Sequence, residues 1–224
     1  TYRALGHYSS CWKTEELLLA AADASGSPTE VVRALFNHVH GLVLRGDYER
    51  AETEGGRMVE LAENHQLTFL ATCGMMERSR ARFELGRDGA LSEQVEALEA
   101  FERFGPTPNL PREYGLLAVN LARSNRRGAA ETRAAQALDA SPLEHRSRTL
   151  CYVGETLRLT GGPLSEALTM TARECFAESL AAEVERGEAY LEAALGLARL
   201  ELAAGDKAAA RRILEPKYRL IEMY

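Results

Sequence analysis

Gly46-Asp47-Tyr48-Glu49-Arg50-Ala51 is the stretch on which the fold reading turns. A glycine tolerates the left-handed conformation that closes the last turn of a helix. An Asp directly after it can cap the next helix, and a small Ala three or four residues further on lets two antiparallel helices approach closely. Ahead of the turn, Leu35, Val39, Leu42 and Val43 recur at three- and four-residue steps, which is one stripe of an amphipathic helix.

The same signal returns along the chain. Gly86-Arg87-Asp88-Gly89-Ala90 follows 40 residues after Gly46, and Asn125-Arg126-Arg127-Gly128-Ala129-Ala130 follows 39 after Gly86. Gly161-Gly162-Pro163 falls near the fourth expected place, and Gly205-Asp206-Lys207-Ala208-Ala209-Ala210 closes the series. Breakers separate the hairpins at Ser25-Gly26-Ser27-Pro28, Gly105-Pro106-Thr107-Pro108 and Ser141-Pro142. None of these is long enough for a domain linker. The expectation is an all-α chain: a right-handed α-solenoid of about five antiparallel helical hairpins, forming one repeat domain over residues 1–224.

Composition agrees with this. Of the 224 residues, 46% are hydrophobic and 27% charged, as in ordinary globular proteins. Ala, Leu, Glu and Arg dominate, and no stretch alternates apolar and polar residues long enough to read as a strand. The longest apolar run, 17–22, is far too short to cross a bilayer. The net charge of −6 argues against a nucleic-acid-binding module. Cys11, Cys73, Cys151 and Cys175 form no C-x-x-C pair, and reduced thiols in a cytoplasmic protein are expected. Thr1-Tyr2-Arg3 in place of an initiating Met, and the apolar end at 218–224, suggest a piece of something longer.

The third unit resembles the tetratricopeptide repeat. Tyr114, Leu117, Ala118, Leu121, Ala130, Ala134, Ala137 and Pro142 fall where that family places its bulky residues, small residues and proline. The first full unit keeps Gly46, Tyr48 and Ala51 but has Gly55 where an aromatic is usual. The period exceeds the consensus of about 34 residues. A HEAT-like repeat shares the longer period, whereas the Gly-Asp-Tyr-Glu-x-Ala turn favours the tetratricopeptide pattern.

A narrower resemblance covers the last third. Gly154-Glu155, Arg173-Glu174-Cys175-Phe176-Ala177-Glu178-Ser179-Leu180, Leu197-Ala198-Arg199-Leu200 and Leu214-Glu215-Pro216-Lys217-Tyr218 occur in that order. This is similar to the C-terminal helical region of large bacterial multidomain ATP-binding regulators. The resemblance implies a sensor arm beside a signal-transducing ATPase. The chain itself carries no G-x-x-x-x-G-K-[ST], so no nucleotide-hydrolysing role transfers to it.

Candidate chemistry is sparse. His38-x-His40 places two imidazoles about 200° apart around a helix, so they cannot share a metal. His38 is expected to pack between helices and His40 to face a groove. Cys73, Cys151 and Cys175 read as buried structural thiols with no base to activate them. The acidic pairs Glu15-Glu16 and Glu183 with Glu185 read as solvated helix faces. Arg126-Arg127, with Arg123 and Arg133 nearby, reads as plain surface or as a docking patch for an anionic partner. No catalytic residue, metal site or cofactor is expected, and a non-enzyme follows.

Tetratricopeptide solenoids line their concave face with the first helix of each hairpin. Carried residue by residue onto this chain, the resemblance implies a groove of Arg33, Phe36, Asn37, His40, Met76, Arg80, Arg112, Arg148, Glu155, Arg158 and Arg199, with Cys73, Cys151 and Glu192 beside them. Arginine outnumbers glutamate in this set, and its planar fork suits carboxylates and phosphates. The expected partner is a protein or peptide, acidic in character, or a small anionic effector, with neither nucleic acid nor membrane contacted directly. Two roles remain open: a regulatory arm of a bacterial signalling or transcription-regulating protein, and a free-standing adaptor for an acidic peptide. Asn37 alone meets the pattern of a peptide-tail carboxylate clamp, and lysine is limited to Lys13, Lys207 and Lys217.

Overall fold

The computed structural model describes residues 8–142, 146–162, 168–182 and 188–217. Expectations placed on Thr1-Tyr2-Arg3, Pro163, Glu183 with Glu185 and 218–224 lie outside them. Every regular element among the described residues is helical. In order they are α1 (Tyr8–Ser25), α2 (Pro28–Arg45), α3 (Tyr48–Asn64), α4 (Thr68–Glu84), α5 (Ala90–Glu102) and α6 (Leu110–Arg123). They continue with α7 (Arg127–Ala140), α8 (Arg146–Thr160), α9 (Ala172–Ala182), α10 (Glu188–Ala203) and α11 (Lys207–Leu214), which runs into a 3-10 turn at Glu215–Lys217. The chain is all-α, with helices packed on their sequence neighbours. None of the described helices is long and apolar enough to cross a membrane.

Each sequence signal falls where a helix ends. Gly46 takes φ 76° after α2, and the amides of Gly46 and Asp47 donate to the carbonyls of Val43 and Leu42. That is a Schellman closure, which satisfies carbonyls the helix end would otherwise leave exposed. Gly86, Gly161 and Gly205 also adopt positive φ, and Asn125 does so in place of glycine at φ 58°. One such turn carries no glycine signal at all: Gln66, φ 58°, between α3 and α4. The capping expectation divides. Asp206 accepts from the Ala209 amide at 2.8 Å, whereas Asp47 makes no cap bond and pairs with Arg50 at 3.3 Å.

The described helices group into two compact units, Ser9–Thr107 and Pro108 onward. The junction falls in the Gly105-Pro106-Thr107-Pro108 loop.

In the unit holding α1–α5, α2 packs on α3, α3 on α4 and α4 on α5, while α2 also contacts α4. The first helices of successive hairpins therefore stack on each other, as a repeat array requires. At the founding turn, Val39, Leu42, Ala51 and Ala81 form a buried cluster with Tyr48 and Val43 against it. The absent aromatic at Gly55 has a physical counterpart. A Cβ there would meet Arg78 Cβ at 3.0 Å, so α3 and α4 touch almost backbone to backbone. Trp12 of α1 lies under the Arg45 guanidinium at 5.2 Å, joining α1 to α2.

In the unit holding α6–α11, sequential pairs pack likewise, and α6, α8 and α10 stack as first helices. Leu117, Ala118, Ala130, Ala134 and Ala137 are fully buried. The larger cluster around Leu150, Val153, Leu157, Cys175, Phe176, Ala193 and Leu197 forms the core of the later hairpins. Phe176 is held between two glycines: a Cβ at Gly154 would stand 2.9 Å from its ring, and one at Gly196 would collide with it.

Gly196→Ala is expected to cost about 1–3 kcal/mol by overpacking, even though Ala favours helix by about 1 kcal/mol over Gly. Gly56→Ala, with open space around its Cβ, should instead stabilise by about 0.5–1 kcal/mol. Chemical denaturation of the two variants separates packing from propensity.

A second expectation concerns His38, which is 4% exposed. Burial, then Arg50 and Arg45, push its pKa below the ordinary 6.5, against opposing Glu54 and Glu15. The unfolded chain then binds the proton more readily, so this contribution is complete above 6.5 and is lost as the pH falls below it. His38→Gln should flatten that part of the stability profile, read from unfolding midpoints at a series of pH values.

Candidate functional site

The groove positions resolve into two constellations, one in each unit. In the first unit, Phe36 stacks on His40 with ring centroids 6.4 Å apart. His40 Nδ1 lies 3.2 Å from Glu77 Oε1, and Arg80 Nη1 donates to the same oxygen at 2.9 Å. Glu77 is 2% exposed and Arg80 5%. Arg80 and Met76 are therefore packed residues, where the sequence places them on an open face. The reason is helix register: Arg78 and Arg82, two residues along from Met76 and Arg80, are the half-buried ones and reach sideways to Glu93 and Glu52, with Arg82 Nη1 2.7 Å from Glu52. Arg33 and Asn37 stay at the surface: Arg33 pairs with Glu30 at 3.4 Å, and Asn37 donates to the Arg33 carbonyl. His38 is buried and His40 half-buried, in different surroundings.

In the second unit, Glu155, Arg158 and Arg199 come together with Cys151 and Glu192. Arg158 grips the Glu155 carboxylate with both arms, Nε at 2.8 Å and Nη2 at 2.7 Å. That bidentate bond holds the Arg158 pKa above its ordinary value. Arg199 Nη1 stands further off, 3.6 Å from Glu155. Apart from Arg158, these groups border a cleft of about 340 Å³ lined by Leu116 and Val119 of α6, Cys151, Tyr152 and Glu155 of α8, Phe176 of α9, and Glu192, Leu195 and Arg199 of α10. The volume lies in the range of small-molecule and peptide side-chain sites.

Local sequence explains the cleft. Glu192, Leu195 and Arg199 share one face of α10 by their spacing. Tyr152 leans into Gly115, whose Cβ would meet it at 2.8 Å, and Phe176 fills the space opened by Gly154 and Gly196. Absent side chains thus let two aromatics form floor and wall.

Arg112 pairs with Glu113 at 3.0 Å, and Arg148 is half-buried in the first turn of α8. Arg123, Arg126 and Arg127 are exposed, and Arg133 lies over the Tyr114 ring at 5.6 Å.

The positive groove expected from arginine content is largely compensated. Arg33, Arg80, Arg112 and Arg158 each meet a glutamate one or three residues away. Glu30, Glu77 and Glu113 were outside the sequence set, although spacing of i, i+3 could have flagged the first two. Leu116, Val119, Tyr152, Phe176 and Leu195 were missed as well. The glycines opposite the two aromatics were the available sign.

The described thiols are buried. Cys151 Sγ lies 3.1 Å from Ser179 Oγ and donates to the Ala189 carbonyl at 3.2 Å. Burial, with Glu178 and Glu174 nearby, pushes the Cys175 thiol up to about 12, so it stays protonated at neutral pH.

Removing Glu77 takes away the carboxylate that the buried Arg80 guanidinium meets at 2.9 Å. Glu77→Ala is expected to destabilise by about 3–5 kcal/mol, and Arg33→Ala by less than about 0.5 kcal/mol. Urea unfolding compares the two directly. Measured against known proteins, the chain matches no family model and no curated protein.

Proposed function

We propose that this chain is a binding module of the tetratricopeptide type, the effector- or partner-sensing arm of a larger bacterial signalling or transcription-regulating protein. The carrying observation is the cleft across α6, α8 and α10, floored by Phe176 and edged by Glu155 and Arg199. An apolar hollow with few convergent polar groups is the usual form of a ligand site. Its walls come from three stacked first helices, so an occupant would touch successive hairpins at once and could bias their packing. Such a device converts binding into a mechanical signal without any chemistry of its own. We place it in the cytoplasm, acting on a protein, peptide or small effector and on neither nucleic acid nor membrane. The link to an ATP-binding regulator rests on the residue pattern of the last third.

The free-standing adaptor for an acidic peptide draws less support. Its motive was an uncompensated arginine face, and most of those arginines already hold a glutamate.

A photo-crosslinking residue placed at Leu195, within the full-length protein in its own cells, tests the reading. Leu195 is expected to form a defined adduct, with a protein or a small molecule, and Thr132, exposed on α7, to form none. Equal labelling at the two positions, or labelling at Thr132 alone, would remove the cleft from the function.

A further inference from the structure

We infer that the cleft is a site for a small amphipathic carboxylate: an apolar body seated against Leu195 and Phe176, with its carboxylate on Arg199. The inference rests on the proposed binding role and narrows it to one ligand chemistry.

The charges around the hollow are not equivalent. Glu155 has both oxygens held by Arg158 at 2.7 and 2.8 Å, and so is neutralised within the wall. Glu192 is half-buried and already engaged. Arg199 differs from both. Its side chain is 56% exposed, and its Nη1 lies 3.6 Å from Glu155, longer than a hydrogen bond. Glu155 offers it little, since Arg158 already occupies that carboxylate. A guanidinium carries five donors in a flat fork, matched to the two oxygens of a carboxylate. Arg199 can turn that fork to an incoming anion at little cost.

Position along α10 sets the ligand's polarity. Glu192 and Arg199 lie two turns apart on one helix face, about 10 Å along the axis, with Leu195 between them. An anionic head at Arg199 keeps clear of Glu192, while the apolar body spans Leu195 and the floor. The reverse orientation would bring like charges together. A cleft of about 340 Å³ stands near the lower end of ligand pockets, which favours a small molecule over an extended chain.

The test uses three probes of one shape, 3-phenylpropionate, 3-phenylpropanamide and 3-phenylpropylamine, titrated into the whole chain and followed by NMR shifts of methyl groups in Leu116, Val119 and Leu195. Octanoate and indole-3-acetate extend the acid set. The acids are expected to move these signals, with the amide and amine binding about tenfold more weakly or worse, the loss expected for one charge-assisted contact. Arg199→Gln should reduce acid binding to the level of the amide, with an unchanged thermal midpoint confirming the fold.

An amide equal to the acid, an amine better than it, or acid binding insensitive to Arg199→Gln would each overturn the carboxylate assignment while leaving the cleft a binding site. No shift with any acid at millimolar concentration would also overturn it. In that case a protein adduct at Leu195 would still sustain the broader binding role, and its absence would end both.

Discussion

Every hairpin in this chain depends on one backbone condition: a residue must enter the left-handed region where its first helix ends. Glycine meets it without strain at Gly46, Gly86, Gly161 and Gly205, and Asn125 meets it with a short polar side chain. The reversal brings the second helix back along the first, and only then can small residues such as Ala51 and Ala130 be buried at the crossing. Stacking of first helices on first helices follows within each unit. The cleft, in turn, exists because α6, α8 and α10 are neighbours through that stacking.

The fold was legible because its signals are local. A glycine followed by a capping residue, set after an amphipathic stripe, states the helix end within six residues, as at Gly46 through Ala51. Gln66 was not legible for the same reason in reverse. Nothing in its side chain favours positive φ, and the turn is imposed by the packing of α3 on α4.

The site was legible only in part. The repeat resemblance named Glu155, Arg158 and Arg199, and the structure brings them together, with Glu155 and Arg199 lining the cleft. It put Arg80 and Met76 on an open face, because a repeat position names a side of the helix but not its depth, and both are buried where α4 meets α2. The arginine count also overstated the charge of the groove. Charge is a property of pairs, and Glu77 and Glu113 are buried beside the arginines they balance. The cleft's apolar lining was harder still, since Leu116 and Leu195 resemble any other core leucine until the glycines opposite their neighbours are considered.

The trio of half-buried His40 with buried Glu77 and Arg80 carries a consequence for how such an array can change over time. Repeat proteins are commonly thought to grow or shrink by copying or deleting whole units, which assumes that one unit can stand in for another. Here the backbone is periodic but the contacts are not. The α2–α4 junction is closed by His40 against the Glu77 carboxylate that Arg80 also holds, and the α8–α10 junction by an aromatic ring set between glycines. A copied α4 placed against any other helix would carry its inward Glu77 without His40 to meet it. A copied α8 placed elsewhere would present a hollow at Gly154 with no ring to fill it. The hairpins are therefore ordered parts, each keyed to one neighbour, and their sequence along the chain is as much a determinant of the molecule as their number.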